Sequence, residues 1–340
     1  MTEKIVKAEF FRHTVKGRQT APFFLPLAGF ALLSAETTTK PIAKERICMI
    51  CLEHEGAQLR VAELGGEVRG YRGPDGTEYL WSGDPAVWKG VSPVLFPAIG
   101  ALKDGGASIA GVRYPVPRHG FARNLPFRVT EQGEDFVTLT LSETAETKRL
   151  YTFDFALSVT HRLCTDGFET RFTVENHTGR EMPFLIGGHP AFACPVGGEG
   201  CFEDYVLRFE KPENGRVSLC NLDSHLIDRT AQAPLETDMR TLPLCHADYD
   251  RIDTYIFDGL ESRAVDLVHR QTGRGIRLTF DMPVLAVWTM PGKNAPYVCL
   301  EPWQGMPALT DETGRFEDKP YHVSLGVGQA FTCGYRMRIL

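Results

Sequence analysis

The residues best suited to chemistry begin with a glutamate in the segment 296–303, PYVCLEPW. A run of apolar or weakly polar residues leads into Glu301 and Pro302 follows it, which predicts a buried strand that ends at the proline. A carboxylate beside Tyr, Cys and Trp side chains loses hydration, so it needs a partner or its pKa rises. Both outcomes suit a general base. The alternative is a structural glutamate that reaches solvent at the strand end or pairs with an arginine.

Two histidines are candidate partners for this glutamate. His189 lies in the segment 186–192, IGGHPAF, where two glycines allow close approach and the following proline favours an extended backbone. His119 lies in the segment 117–123, PRHGFAR, between two arginines. Taken alone, a histidine in either segment is more often structural than functional.

These segments belong to an ordered set that runs through most of the chain. The set comprises 56–59 (GAQL), 77–81 (TEYLW), 88–90 (WKG), 93–97 (PVLFP), 118–123 (RHGFAR), 187–192 (GGHPAF), 288–292 (WTMPG) and 299–303 (CLEPW). With these segments, from about Ile50 to the C-terminus, the chain resembles the aldose 1-epimerases (mutarotases), in particular their bacterial LacX-related branch. Each segment alone is a loose pattern, but eight in this order are specific.

The resemblance implies a fold and roles for the three residues. The fold is the galactose mutarotase-like supersandwich, with the site in a groove on one sheet. Glu301 corresponds to the base, His189 to the acid, and His119 to a histidine that helps to hold the sugar.

The implied reaction interconverts the α and β anomers of an aldose. Glu301 would remove the proton of the C1 hydroxyl while protonated His189 donates a proton to ring oxygen O5, which opens and then recloses the ring. This pairing predicts a bell-shaped pH dependence that belongs to the coupled pair.

Sugar binding also needs aromatic faces and polar groups for hydroxyls. The candidates are Trp288, Trp303 and Phe192 for the first task, and Asp253, Arg123 and Lys103 for the second. The resemblance implies a hydroxyl-binding aspartate at Asp253. A core position explains each aromatic residue at least as well, and a solvated loop position explains the two cations.

One departure from the family pattern concerns the segment 96–103, FPAIGALK. The resemblance implies an arginine after the glycine, where its guanidinium helps to bind substrate. Here that position is Ala101, so a different sugar, a weaker enzyme or a substitute such as Lys103 becomes an open question.

Strand patterns independently predict an all-β, large antiparallel β-sandwich. Residues 137–142 and 151–163 alternate apolar and polar side chains with period two, and turn sequences such as Asp166-Gly167 separate such runs. Convincing helical periodicity is absent. His161 lies on the apolar face of the second run, which favours a structural histidine over a catalytic one.

Length and composition suggest one large domain, residues 49–340, after an N-terminal extension, residues 1–48. The extension has a basic segment and an apolar run at 21–35, which fits a signal peptide; a disordered leader or an over-extended start fits as well. Nine scattered cysteines are typical of free thiols in a reducing compartment, so we expect a cytoplasmic protein, or an exported one if residues 1–35 act as a signal.

The charge balance and the motifs also bear on ligands. A net charge of −6 without a long basic run gives no footprint for nucleic acid, and no segment suits a membrane span. No residue grouping has metal-ligand spacing and no cofactor motif occurs, so neither a metal nor a cofactor is expected. The remaining histidines, including His225, His246 and His322, lie in no motif.

Three functions remain open at this point. The first is an aldose 1-epimerase on a free aldose, the second a hexose-6-phosphate 1-epimerase, and the third a sugar-binding or sensing module without turnover. The second would need cations clustered around a phosphate, whereas the sequence shows dispersed ones. In each case the partner is a small sugar, and the protein is expected to be a monomer or a homodimer.

Overall fold

The computed structural model describes residues 48–340, and β-strands dominate this part of the chain. Its pairings between strands are antiparallel, which confirms the predicted all-β sandwich. The predictions for the N-terminal extension lie outside the described residues, apart from the exposed Cys48. All nine cysteines are free thiols, of which Cys194, Cys220, Cys299 and Cys333 are buried. No helix among the described residues is long and apolar enough to cross a membrane.

The first twelve strands in chain order are β1 Met49–His54, β2 Ala57–Ala62, β3 Glu67–Arg72, β4 Val94–Leu95, β5 Ala107–Ile109, β6 Val112–Tyr114, β7 Arg128–Gln132, β8 Phe136–Ser142, β9 Phe155–Cys164, β10 Gly167–Asn176, β11 Met182–Phe184 and β12 Ile186–Gly188. The other twelve are β13 Ala191–Ala193, β14 Tyr205–Phe209, β15 Arg216–Cys220, β16 Ile227–Gln232, β17 Thr241–Pro243, β18 Thr254–Asp258, β19 Ala264–His269, β20 Gly275–Phe280, β21 Val284–Trp288, β22 Tyr297–Gln304, β23 Val323–Leu325 and β24 Ala330–Ile339. Two short α-helices are α1 Ala145–Leu150 and α2 His246–Ile252.

Two large sheets form the sandwich. One has nine strands in the order β17-β14-β19-β20-β24-β10-β9-β8-β7. The other has eight strands in the order β16-β15-β18-β21-β22-β12-β4, with β13 paired to β22 beside β12. Apolar residues of both sheets, such as Phe172 and Leu300, belong to one buried core. That core supports the eight-stranded sheet, whose other face carries the cavity described below.

The predicted strand at 151–163 begins later than expected. Helix α1 precedes it, and its N-cap Thr144 accepts a hydrogen bond from the Thr147 amide while Thr147 Oγ1 accepts from the Thr144 amide. Such reciprocal capping satisfies two otherwise free N–H groups at a helix start. The chain therefore enters β9 only at Phe155, and the predicted alternation holds from there.

The prediction that Pro302 ends the strand is wrong, because β22 continues to Gln304. β22 pairs with β13 through residues 297–299 and with β12 through residues 303–304, so the stretch between them has only β21 as a full neighbour. A proline is tolerated in that stretch because no partner strand there requires its missing N–H. The interruption between β12 and β13 contains His189, and it lies opposite Glu301.

A close approach between the two sheets explains one glycine of the GGHP segment. A Cβ atom on Gly188 would lie 2.6 Å from Cε1 of Tyr335, a residue of the nine-stranded sheet. The Tyr335 hydroxyl is also hydrogen bonded to Ser92 Oγ at 3.0 Å. Gly188 thus lets β12 sit against the opposite sheet, and the chain that follows it carries His189 to the cavity side.

Candidate active site

A cavity of about 260 Å³ lies over the eight-stranded sheet. This volume is below the roughly 300 Å³ at which pockets for drug-sized ligands begin, so it suits a small ligand such as one sugar ring. Its wall brings together residues that are far apart in the chain, and those used below are Trp88, Ala101, Arg118, His119, Arg123, His189, Cys220, His225, Asp253, Trp288, Glu301 and Trp303.

Glu301 and His189 form the centre of the site. The Nε2 atom of His189 lies 3.2 Å from the Oε2 atom of Glu301. Glu301 projects from the middle of β22 and is 2% exposed, whereas His189 comes from the interruption between β12 and β13. Two ionisable groups this close are coupled, so they can act together as an acid and a base.

Burial shifts the pKa values of both groups towards their uncharged forms. Loss of hydration raises the pKa of Glu301 well above its ordinary value, and the negative charge of Asp253 adds to this rise, while Arg118 and Arg123 oppose it. Loss of hydration also lowers the pKa of His189 to about 3. Over a wide pH range the free pair therefore holds one proton, on the carboxyl group.

Tryptophans fix the plane of the His189 ring. The Trp88 ring stacks on it, with centroids 5.0 Å apart, and the Trp288 ring meets it edge-on at 5.6 Å. The backbone of Trp88 is itself held, because Trp81 Nε1 donates a hydrogen bond to the Trp88 carbonyl at 2.8 Å. Both indole rings also line the cavity, which gives it an apolar surface suited to the C–H face of a sugar.

His119 is held in one tautomer by Gly100. The backbone N–H of Gly100 donates a hydrogen bond to the ring atom Nδ1 of His119 at 3.2 Å. The backbone N–H of His119 donates to the Gly100 carbonyl at 2.9 Å. Because Nδ1 accepts, the ring proton of neutral His119 lies on Nε2, which makes that atom a donor. Burial, followed by the charge of His189, lowers the pKa of His119 well below its ordinary value, so the ring stays neutral.

The loop of His119 depends on a glycine at the next position. Gly120 has a φ of 71°, and a Cβ atom there would lie 2.0 Å from the Phe96 carbonyl oxygen. No side chain fits at that distance, so only glycine lets the segment 117–123 lie against the segment 96–101. The two segments together form the wall of the cavity that carries His119.

Asp253 ends helix α2 and projects into the cavity. Its N–H donates to the Tyr249 carbonyl at 2.8 Å, and its φ is 65°. Trp288 Nε1 lies 3.4 Å from Oδ1, and the Thr254 hydroxyl donates to Oδ2 at 2.8 Å. The carboxylate is thus oriented, and it keeps acceptor capacity for hydroxyl groups.

Two guanidinium groups also line the cavity. Arg123 Nη2 donates a hydrogen bond to the Arg118 carbonyl at 3.2 Å, which links the two residues through the backbone. Arg118 is exposed and Arg123 is partly buried. Burial and the charge of Arg118 lower the pKa of Arg123, and the charge of Glu67 opposes this.

Three buried polar atoms at this place have no hydrogen-bond partner among the described residues. They are Nδ1 of His189, Oε2 of Glu301 and Nε1 of Trp303. The approach of His189 to Glu301 lacks the alignment of a hydrogen bond. Buried polar atoms in folded proteins are almost always paired, so such a group of exceptions indicates a ligand-binding site.

The same centre contains a set of donors that could hold a metal ion. The candidate ligand atoms of His189, Cys299 and Glu301 all lie within 4.8 Å of one another. Sequence spacing could not predict this set, because it joins two different strand regions. Burial raises the pKa of the Cys299 thiol well above its ordinary value, so the sulfur is protonated unless a metal displaces that proton.

Seven of the nine residues assigned to the site from sequence line this one cavity: Glu301, His189, His119, Asp253, Trp288, Arg123 and Trp303. The other two do not. The Phe192 side chain is fully buried in the core, and the Lys103 ammonium group donates a hydrogen bond to the Glu312 carbonyl at 2.7 Å. Their predicted contact with substrate therefore has no support in the geometry.

Sequence reasoning missed several residues of the wall. Arg118 and Trp88 were part of recognised segments, so their position in those segments was the available signal. Cys220 and His225 lie in no motif, and only the fold brings them to the cavity. Burial raises the pKa of the Cys220 thiol to about 12, which makes it unreactive.

Comparison with known proteins agrees with this geometry. A family model for aldose 1-epimerase matches residues 49–337. The plasmid-encoded LacX protein of Lactococcus lactis subsp. lactis is 34% identical over 276 residues, which cover 79% of this chain and 92% of that protein.

Solved structures from two lactobacilli have the same fold. A galactose mutarotase-like protein from Lactobacillus casei is 28% identical, with a TM-score of 0.80 over 86% of this chain and 100% of the other. A galactose mutarotase related enzyme from Lactobacillus acidophilus is 27% identical, with a TM-score of 0.79 over 86% and 97%.

The family match and the fold together define the class as a sugar epimerase built on an antiparallel sandwich. Within that class, the chain belongs to the aldose 1-epimerase family and is related to LacX.

Proposed function

We propose that this protein is an aldose 1-epimerase that interconverts the α and β anomers of a free aldose. The observation that carries the proposal is the distance of 3.2 Å between His189 Nε2 and Glu301 Oε2. The C1 hydroxyl and ring oxygen O5 of a pyranose are both bonded to C1, so the base and the acid that serve them must lie close together. A buried carboxyl and imidazole at this distance meet that requirement.

The proton needed for ring opening is already present in the pair. Transfer of that proton from Glu301 Oε2 to His189 Nε2 gives a carboxylate and an imidazolium. The positive charges of Arg118 and Arg123 lower the pKa of Glu301 and also that of His189, so they favour the carboxylate but oppose the imidazolium. After this transfer, Glu301 is a carboxylate that can accept a proton and His189 is an imidazolium that can donate one, as ring opening requires.

Ring opening follows from this charged form. The Glu301 carboxylate takes the proton of the C1 hydroxyl, the C1–O5 bond breaks with its electron pair on O5, and the His189 imidazolium gives its proton to O5. The product is an open-chain aldehyde, and the pair again holds one proton. Rotation about C1–C2 and the reverse transfers close the ring as the other anomer, so no group is consumed.

The remaining cavity residues orient the sugar. The neutral His119 donates through Nε2, the Asp253 carboxylate accepts from hydroxyl groups, and the Trp88 and Trp288 rings cover the apolar face. These contacts hold C1 of the sugar next to Glu301 and His189, so that the reacting groups are already oriented when the sugar is bound.

A second candidate is a 1-epimerase for a phosphorylated hexose. The observation that favours it is that Arg118 and Arg123 both line the cavity, since guanidinium groups are well suited to bind phosphate. The sequence alone suggested dispersed cations, whereas the fold brings these two to one wall. The proton transfers would be the same for either substrate.

Polarimetry of freshly dissolved α-D-glucose, α-D-galactose and other aldoses tests the proposal, with D-glucose 6-phosphate as a separate arm. We expect the full chain to accelerate the mutarotation of at least one free sugar, and Glu301→Gln and His189→Asn to abolish the acceleration without loss of folding. His177→Asn, at an exposed histidine far from the motif segments, is the matched control. Acceleration of the phosphate ester alone would support the second candidate, and no acceleration of any sugar would leave a binding module.

A further inference from the structure

Backbone conformation distinguishes three residues of the cavity wall. His119, Asp253 and His225 have φ values of 62°, 65° and 57°, in the left-handed region that residues with a Cβ rarely adopt. Such conformations persist where the surrounding structure enforces them, and they cluster at functional sites. The first two residues already have roles in sugar binding. His225 shares a positive φ and the cavity with them, yet lies in no motif.

The hairpin that carries His225 is tightly built. It connects β15 to β16, and Asn221 organises it: the Asn221 side-chain oxygen accepts from the N–H groups of Asp223 and Ser224, each at 3.0 Å. The His225 N–H donates to the Asn221 carbonyl at 2.9 Å, and the Asn221 N–H donates to the Leu226 carbonyl at 2.8 Å. The imidazole is therefore presented from a fixed backbone.

This hairpin belongs to the same wall as Ala101. The Ile227 N–H donates to the Ala308 carbonyl at 2.8 Å, and the Ala308 N–H donates to the Ala101 carbonyl at 3.0 Å. These two backbone hydrogen bonds connect Ile227, two residues after His225, to Ala101 through Ala308. The side chain of Ala101 offers no polar group to the cavity, whereas the imidazole of His225 offers one donor and one acceptor.

Sheet order shows which part of a sugar this wall would meet. In the sequence β15-β18-β21-β22, strand β15 is three strands away from β22, or about 14 Å at roughly 4.8 Å per strand. Glu301 of the acid–base pair projects from β22, whereas the hairpin that carries His225 joins β15 to β16, the strands of this sheet farthest from β22 on that side. A sugar with C1 at that pair extends its more distant hydroxyls towards the hairpin.

We propose that His225 is a specificity-determining residue that hydrogen bonds a sugar hydroxyl remote from C1. The inference rests on the proposed function for the orientation of the sugar, but it concerns binding and not turnover. The β15–β16 hairpin would then distinguish monosaccharides that differ at hydroxyls remote from C1.

The competing explanation is that His225 only satisfies a turn, because histidine is among the residues that tolerate the left-handed region. Two variants separate the explanations. His225→Gly keeps the turn and removes the imidazole, and His225→Asn keeps the turn with a shorter polar group. Met239→Gly is the matched control, since Met239 is an exposed residue with a φ of 55° that does not line the cavity.

The test uses the full chain and two measurements. The intrinsic fluorescence of Trp88 and Trp288 reports binding of D-galactose and D-glucose without requiring turnover, and polarimetry gives kcat and KM. We expect His225→Gly to weaken Kd and raise KM for the better sugar about three- to tenfold, the effect of one lost hydrogen bond, and to reduce the preference between the two sugars. KM should change more than kcat, and His225→Asn should lie between wild type and His225→Gly.

The outcomes separate this inference from the proposed function. Wild-type binding that depends on His225, without any mutarotation, supports the inference and contradicts the proposed activity. Mutarotation with the same Kd, KM and sugar preference in wild type and His225→Gly overturns the inference alone. Failure of both sugars to bind, or an equal effect of Met239→Gly, overturns it as well.

Discussion

Glu67 and Glu301 are both buried glutamates of one domain, yet their surroundings differ. Glu67 Oε1 accepts hydrogen bonds from the N–H groups of Val91 and Ser92 at 2.7 and 2.8 Å, and Arg69 lies 3.2 Å away. Glu301 Oε2 lies 3.2 Å from His189 Nε2 and has no hydrogen-bond partner among the described residues. The first carboxylate holds a loop in place, whereas the second has bonding capacity to spare.

Two buried histidines repeat this contrast. His161 is bonded through both ring nitrogens, to Thr170 Oγ1 and to the Gly66 carbonyl, each at 2.9 Å, which confirms its predicted structural role. His189 has an Nδ1 without a partner. Burial alone therefore does not mark a functional residue; what sets Glu301 and His189 apart is that their unbonded atoms belong to residues of one cavity, where a ligand can complete their hydrogen bonds.

The largest expected effect comes from removing the base. Glu301→Gln should lower kcat by about 10²- to 10⁴-fold, the usual contribution of a general base, while the free energy of unfolding stays the same or rises. The rise is expected because an ionisable group in a desolvated position is replaced by a neutral one. Polarimetry and urea denaturation measure the two quantities.

The matched variant for this comparison is Glu67→Gln, which keeps an acceptor oxygen for the two N–H groups. It should retain kcat within a few fold. An equal loss of kcat in both variants would contradict the contrast between the two glutamates.

The pH dependence of kcat should be a bell with a broad top. The active pair holds one proton: it gains a second in acid, where His189 has a pKa lowered to about 3, and loses its last one at the raised pKa of Glu301. The acid limb should therefore lie below the ordinary range of histidine and the alkaline limb above that of glutamate, each with a tenfold loss per pH unit. An acid limb centred near pH 6.5 would show that His189 titrates as a solvated histidine.

Removing the structural glutamate should affect stability. Glu67→Ala leaves two buried N–H groups and Arg69 without their acceptor, so the free energy of unfolding should fall by about 3 kcal/mol. Urea denaturation measures the loss, with the exposed Glu134→Ala as control. A change below about 0.5 kcal/mol, as expected for a surface position, would refute the assigned role.

The smallest expected effect concerns the pH dependence of stability. Burial lowers the pKa of His161 in the folded protein to about 4. Between that pH and the pKa of His161 in the unfolded chain, the unfolded chain binds a proton at His161 and the folded chain does not. Stability is therefore lost as pH falls from about 6.5 towards 4, and His161 accounts for about 2 kcal/mol between about pH 7 and pH 5. In His161→Gln, the free energy of unfolding measured by urea denaturation should depend less on pH, by that amount. An unchanged slope would show that His161 is protonated in the folded protein.

Sequence alone predicted the class of fold, which the structure confirms, and three residues that the structure places in one cavity. Alternation with period two in runs such as β8 and β9 predicts half-buried antiparallel strands, since that period fixes which side chains share a face. The resemblance of the ordered segments to the aldose 1-epimerases singled out Glu301, His189 and His119, whereas a histidine in either segment alone is more often structural.

Tertiary structure alone decided which faces meet and which polar groups remain unpaired. Phe192 alternates with its neighbours as a site residue would, yet it faces the core, because β13 is placed by its register with β22. The Lys103 ammonium group donates a hydrogen bond to the carbonyl of Glu312, which is distant in sequence, and Lys103 does not line the cavity. His225 reaches the cavity only because β15 lies in the same sheet as β22. Each outcome depends on long-range pairing, whose register local sequence does not contain.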